Sequence, residues 1–203
     1  RINVYGGHEN THLSYFGLTR EQLREDRTQN PLTPGTEDTF TQPHIDLIHE
    51  WQPNDRWNIK NTVYAFFGRG YFDQFDSALS LSALNLAEPG SGDVATDVHR
   101  QLWIEEWDYG WVPSATWRHG EGELTFGASL RIHRGHQFGE IRDADGLPTG
   151  TPDDFHYYNF KVPKESVTLY AREEWQVTPR LKLQGGLSFT EHSWALEESE
   201  GPG

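Results

Sequence analysis

The chain has 203 residues, enough for one domain, and carries 17 Lys and Arg against 31 Asp and Glu, a net charge of −14. So acidic a balance argues against a nucleic-acid partner, which needs clustered Lys and Arg to neutralise phosphates. Cysteine is absent, which removes disulfides, zinc–thiolate sites and thiol nucleophiles, and no apolar run approaches the ~18 residues of a membrane helix.

Only 34% of residues are hydrophobic, yet 13% are aromatic, with eight Trp. Disordered acidic chains are poor in aromatics, and soluble cores are filled mainly by Leu, Ile and Val. The rings therefore serve a surface or a ligand. No charged-then-apolar leader opens the chain. Arg1 begins in mid-pattern, as expected of a mature segment or an internal fragment.

In chain order, the first element is a short helix over residues 19–26. Thr19 with Gln22 has the spacing of a capping box, and Glu21 lies in the first turn. It sits inside a long polar segment, residues 9–38. A tight turn at Pro53-Asn54-Asp55 then leads into residues 57–71, where Trp57, Ile59, Val63, Ala65 and Phe67 alternate with Asn58, Lys60, Thr62, Tyr64 and Gly68. A second polar segment follows over residues 73–97. The turn His119-Gly120-Glu121-Gly122 opens the cleanest strand, with Leu124, Phe126, Ala128, Leu130 and Ile132 against Thr125, Gly127, Ser129, Arg131 and His133. After a third polar segment, residues 140–164, Val167, Leu169, Ala171 and Trp175 alternate with Thr168, Tyr170, Arg172 and Gln176. The turn Thr178-Pro179-Arg180 joins these to residues 181–190, where Leu181, Leu183, Gly185, Leu187 and Phe189 oppose Lys182, Gln184, Gly186, Ser188 and Thr190.

Connections thus alternate long and short. Structureless loops beyond ~12–15 residues are uncommon in a compact soluble domain, whereas an outer-membrane barrel has short periplasmic turns and long outer loops. Strands of ~10 residues suit a tilted membrane crossing. Trp51, Trp57, Trp117 and Trp175 sit beside the short turns, where indole favours the membrane–water boundary. A soluble sandwich gives the same alternation, and that reading stays open. The pattern predicts an all-β fold: an antiparallel up-and-down transmembrane β-barrel segment of about seven strands.

Five stretches carry a family resemblance: Val4-Tyr5-Gly6-Gly7-His8-Glu9-Asn10-Thr11-His12-Leu13-Ser14-Tyr15, Arg27-Thr28-Gln29-Asn30-Pro31, Gly70-Tyr71-Phe72-Asp73-Gln74-Phe75, Trp103-Ile104-Glu105-Glu106-Trp107-Asp108-Tyr109-Gly110 and His136-Gln137-Phe138-Gly139-Glu140. In this order they resemble the β-barrel part of a TonB-dependent outer-membrane receptor of the ferric-siderophore and iron-complex class. The resemblance covers nearly the whole of residues 1–203. It implies location in the outer membrane of a Gram-negative bacterium, contact with outer-membrane lipid, import of an extracellular metal chelate, and energy from the TonB complex acting through a plug domain. The plug and the C-terminal strand ending in an aromatic are expected to be absent from this stretch. Barrels of the family resemble one another in having about 22 strands, so about a third of a barrel is expected here.

Bond chemistry finds little support. Glu105-Glu106 and Glu173-Glu174 are adjacent, so on a strand each pair points to opposite faces and cannot flank one sugar. His133 and His136 likewise face opposite ways. His8 and His12 come close only if the chain turns between them. His49-Glu50 lacks the second His of a zincin, and Gly68-Arg69-Gly70 lacks the Lys of a phosphate loop. No catalytic residue, metal site or cofactor is expected.

With the apolar face toward lipid, Lys60, Thr62, Tyr64, Thr125, Ser129, Arg131, Arg172, Lys182 and Gln184 line the lumen. Near the outer mouth, His12, Arg69, Tyr71, His133 and His136 are the ligand-binding candidates. Arg suits chelate carboxylates, and Tyr or His suits an aromatic chelate by stacking. Strict alternation turns Arg69 toward lipid, so its candidacy requires a bulge at Gly68 or Gly70. The acidic outer loops read as solvated surface, or as divalent-cation contacts. Two other readings remain: a passive porin-like channel, and a soluble aromatic-rich β-domain that binds carbohydrate.

Overall fold

A computed structural model of the protein describes residues 1–12, 17–29, 37–86 and 95–198, the side chains of Ala95 and Thr96 excepted. Its strands are β1 (Ile2–Tyr5), β2 (His8–Thr11), β3 (Asp38–Thr41), β4 (His44–Asn54), β5 (Trp57–Ser80), β6 (Ala95–His119), β7 (Gly122–Ala144), β8 (His156–Thr178), β9 (Leu181–Trp194) and β10 (Glu197–Glu198). All pairings are antiparallel. Tyr5 pairs with His44 and His8 with Thr41, so β1–β2 and β3–β4 are two long strands that share one register. They are interrupted opposite each other, at Gly6-Gly7 and Gln42-Pro43. β10 extends β9 along β8 in the same register. The ten segments therefore make about seven ribbons of one up-and-down sheet, as the alternation predicts.

The three hairpin turns fall where the short polar stretches predict. At the first, the Asn54 side-chain oxygen accepts from the amides of Arg56 at 2.9 Å and Trp57 at 3.2 Å, an Asx turn. At the second, Gly120 adopts φ +50°. At the third, the Thr178 hydroxyl accepts from the Arg180 amide at 3.3 Å. The helix α1 (Arg20–Glu25) carries the predicted capping box: the Gln22 amide donates to the Thr19 hydroxyl at 3.3 Å, and the Thr19 amide to the Gln22 side chain at 2.8 Å.

The strands outrun the expectation from sequence. β5 to β8 have 24, 25, 23 and 23 residues, where ~9–11 suffice to cross a bilayer. Most described residues of the polar segments 73–97 and 140–164 are strand, namely residues 73–80, 95–97, 140–144 and 156–164. Above the membrane both faces of a ribbon meet water, so the apolar alternation disappears while the hydrogen-bonded ladder continues.

One face bears an apolar stripe with sharp ends. On β5 it runs from Trp57 to Phe67 and stops at Arg69; on β6 it stops at Glu105; on β7 at Arg134; on β8 at Glu165. These four form cross-strand ion pairs, Arg69–Glu105 at 3.0 Å and Arg134–Glu165 at 2.7 Å. The stripe from Trp57 to Phe67 climbs roughly 24 Å at the ~45° tilt of membrane strands, matching an apolar band ~25 Å tall. Aromatics border it at both ends. Trp57 stacks on Trp117 at 6.0 Å below, and Phe67 meets Trp107 at 4.8 Å above. No second layer covers the stripe among the described residues: Phe126 is 41% and Leu187 85% exposed. A soluble two-layer domain would bury them.

The one buried apolar cluster among the described residues lies at the outer end. Leu84, Val98 and Tyr157 pack with Leu79, Ile141, Phe155 and Tyr158, tying the 3₁₀ turn Leu81–Leu84 to the start of β8. Asn85, at φ 57°, donates its side-chain amide to the Tyr157 carbonyl at 2.7 Å. Burial raises the Tyr157 hydroxyl above its ordinary range and pushes Tyr158 up to about 12, so both stay neutral at physiological pH.

Two substitutions probe this sidedness and packing. Val63→Arg, in mid-stripe, is expected to cost about 2–4 kcal/mol in denaturant unfolding from lipid vesicles, whereas Thr62→Arg on the opposite face costs far less. Tyr64 lies directly opposite Gly110, and a Cβ at Gly110 would stand 2.7 Å from its ring and 2.5 Å from the Leu130 carbonyl. Gly110→Ala should therefore lower stability by about 1–3 kcal/mol in the same assay. Gly185→Ala, with nothing within 4 Å of its Cβ, should leave the midpoint unchanged or raise it.

Candidate functional site

The face opposite the apolar stripe is polar, and register fixes its membership. Lys60, Thr62, Tyr64, Thr125, Ser129, Arg131, Arg172, Lys182 and Gln184 all lie on it, in phase with one another across β5 to β9. One cross-strand row recruits a residue from every ribbon: Tyr5, His44, Phe66, Asp108, His133, Lys164 and Trp194. Its first three rings are close, Tyr5 on His44 at 4.8 Å and His44 on Phe66 at 4.9 Å.

Asp108 is the electrostatic centre of the row and is 1% exposed. Its Oδ2 accepts from Arg131 Nε at 2.7 Å, and His133 Nδ1 stands 3.3 Å away. Its Oδ1 is buried with no hydrogen-bond partner. Burying a carboxylate without a partner is costly, and the neighbouring guanidinium provides that partner. Glu106, two residues before it on the same face, lies 4.0 Å from the His133 ring. Other cations of this face are paired too: Lys60 with Glu50 at 3.3 Å, Arg118 with Glu123 at 3.1 Å, Arg172 with Glu174 at 3.0 Å, and Lys182 with Glu174. Exposed pairs of this kind add little stability, but they leave the wall nearly neutral.

The five mouth candidates do not converge. β5 keeps an unbroken register from Trp57 to Asp76 against β6, and the β3 and β4 pairings on its other side share one register. The bulge that Arg69 requires is absent. Gly68 and Gly70 instead make room for Phe40: a Cβ at either would stand 2.8 or 2.5 Å from its ring. Arg69 and Tyr71 therefore face outward, just above the apolar stripe. The Arg69 guanidinium lies 5.3 Å over the Trp103 ring, and Tyr71 meets the same ring at 4.6 Å. His136 joins them through Glu105, 3.6 Å away, and approaches Asn159 at 2.7 Å. His133 is buried on the opposite face, and His12 is exposed beyond the end of β2.

The sequence reading picked Lys60, Arg131, Arg172 and Lys182 on the polar face, and missed Arg118, Lys164 and the acids Glu50, Glu106, Asp108 and Glu174. The signal was present for two of them. Glu106 and Asp108 alternate with Glu105, Trp107, Tyr109 and Trp111, which places them opposite the aromatics. Glu105 and Glu106 do face opposite ways, as do Glu173, near His119 at 3.0 Å, and Glu174. The described residues contain no group of three or more His, Asp or Glu disposed to hold a metal ion. The polar face offers hydrogen bonds, charge and ring surfaces, which is the equipment of binding.

Sheet and stripe can now be set beside known proteins. The family described as TonB dependent receptor-like, beta-barrel matches residues 2–196. No curated protein matches the chain. With nearly its whole length matched, and with an up-and-down sheet apolar on one side and polar on the other, the chain belongs to the TonB-dependent receptor β-barrel family, whose members are outer-membrane receptors that serve transport.

Proposed function

We propose that the chain forms part of the wall of an importer in the outer membrane of a Gram-negative bacterium. Its apolar stripe meets lipid and its polar face lines an aqueous bore. The cargo is a metal chelate, of the iron-siderophore class, captured at the outer end and admitted with energy from the TonB system. The observation that supports this reading is the polar face itself. Most of its cations are paired with acids and one row that crosses every ribbon carries Tyr, His, Phe and Trp side chains, a wall that a hydrated chelate can slide along without being trapped by a strong net field. Of the mouth candidates this reading keeps two as cargo contacts: His12, exposed beyond β2, and His133, nearly buried but on the lining of a bore-side cleft. Arg69, Tyr71 and His136 are assigned to the lipid border instead. There Arg69 and Tyr71 add to the aromatic and charged girdle.

An energised importer and a passive channel differ in one readout. A strain lacking the full-length receptor should fail to grow on one ferric chelate within a panel of iron sources, and the restored gene should rescue it. Uptake of that chelate, followed with radio-iron, should stop when a protonophore collapses the inner-membrane gradient. Uptake that persists at the same rate with the gradient collapsed would mark a passive channel.

A further inference from the structure

Of the cations that β5 to β9 place on the polar face, one has no acid beside it among the described residues. In a chain with 31 acidic residues, Lys60, Arg118, Arg131, Arg172 and Lys182 each reach a carboxylate. Lys164 makes no ion pair among the described residues. It stands in the seven-residue row between His133 on β7 and Trp194 on β9. In the neighbouring row, Arg131, Ser166 and His192 are likewise cross-strand partners. All of these line one cleft of about 470 Å³ on the polar face.

Volume does not single this cleft out, since the cleft between β1 and β4 measures about 450 Å³. Its charge does. Glu165 is the one acid on its lining, and that carboxylate is turned to Arg134 on the outward face, 2.7 Å away. Asp108 lies beneath the cleft, already shared by Arg131 and His133. What remains facing the open space is an ammonium, an imidazole from His192, the Ser166 hydroxyl and the Trp194 ring. A solvated surface lysine needs no ligand. A lysine left unpaired where the other cations that β5 to β9 place on the wall are neutralised, and set in a concave site among neutral donors, is the arrangement of an anion subsite.

We propose that this cleft binds a carboxylate group of a net-anionic ligand, with Lys164 as its counter-charge and His192 and Ser166 as hydrogen-bond donors. The proposal rests on the reading that the polar face lines the bore, and it narrows the cargo to chelates that carry negative charge. Trp194 gives one wall of the subsite an apolar surface for the ligand's carbon skeleton.

The test uses the full-length receptor in outer-membrane vesicles, with two radio-iron probes of opposite charge: ferric citrate, which is anionic, and ferrioxamine B, which is cationic. Wild type should retain ferric citrate in preference to ferrioxamine B. Lys164→Gln should weaken ferric citrate retention roughly tenfold or more, the loss expected for one charge-assisted contact. Lys164→Arg should keep most of it, and His192→Ala should fall between. Heat-modifiable electrophoretic mobility checks that each variant is folded. Lys164→Gln retaining ferric citrate as tightly as wild type would overturn the proposal, and so would a wild-type preference for the cationic probe. If Lys164 instead pairs with a carboxylate of the protein's own bore-filling segment, Lys164→Gln would make the membrane leaky to large antibiotics without changing probe retention, which also overturns it. Retention that depends on Lys164 but without energised uptake would sink the importer reading and leave the subsite standing.

Discussion

A strand that enters a bilayer has to bring its own hydrogen-bond partners, since hydrocarbon supplies none and every orphaned amide or carbonyl costs several kcal/mol. That demand explains why β5 holds one register against β6 throughout the apolar stripe, from Trp57 to Phe67. Above the stripe a bulge is tolerable in water, and the one that Arg69 requires is absent there because Gly68 and Gly70 lie flat against the Phe40 ring. The same demand confines the interruptions at Gly6-Gly7 and Gln42-Pro43 to the level of the outward charges, where water is available. On the outer flanks of β1 and β9 the same demand is unmet within this sheet, so those flanks need further strands to close against.

Once register is fixed, chemistry follows from parity. A shift of one residue would exchange the two faces, bringing Asp108, Arg131 and Lys182 into lipid and Trp107, Leu130 and Leu183 into the bore. Each face is then built by different forces. The outward one is a gradient, apolar in the middle, aromatic at both borders, ionic beyond Arg69 and Arg134. The inward one is a balance of charge, in which the buried Asp108 carboxylate is held by Arg131 and the exposed cations meet carboxylates, Arg172 and Lys182 sharing Glu174. Against that balance a Lys164 with no ion pair among the described residues becomes informative, although the residue itself is ordinary.

The local signals were readable from sequence because their causes are local. The Thr19–Gln22 capping box, the Asn54 turn and the alternation of residues 124–133 each depend on residues a few positions apart. Strand ends were not readable, because above the membrane nothing distinguishes a ribbon wet on both faces from a polar loop. Burial of Asp108, the isolation of Lys164 and the Arg69–Trp103 contact depend on which strand lies beside which, and in what register, over separations of 23 to 34 residues. Parity did predict that Arg69 faces outward. The flanking glycines suggested a bulge, when their role is to admit the ring of Phe40.

The chain contains no cysteine, so single cysteines can be introduced along β7 from Leu124 to His133 in the full-length receptor and labelled with nitroxides. Collision with oxygen, which concentrates in lipid, and with a water-soluble nickel chelate then reports which face each label meets. The account predicts a two-residue period, with Leu124, Phe126, Ala128, Leu130 and Ile132 positions favouring oxygen and shielded from the chelate, and the intervening positions showing low oxygen contact. Labels at Phe126 and Leu130 shielded from both reagents, as in a core covered by a second layer of protein, would contradict it.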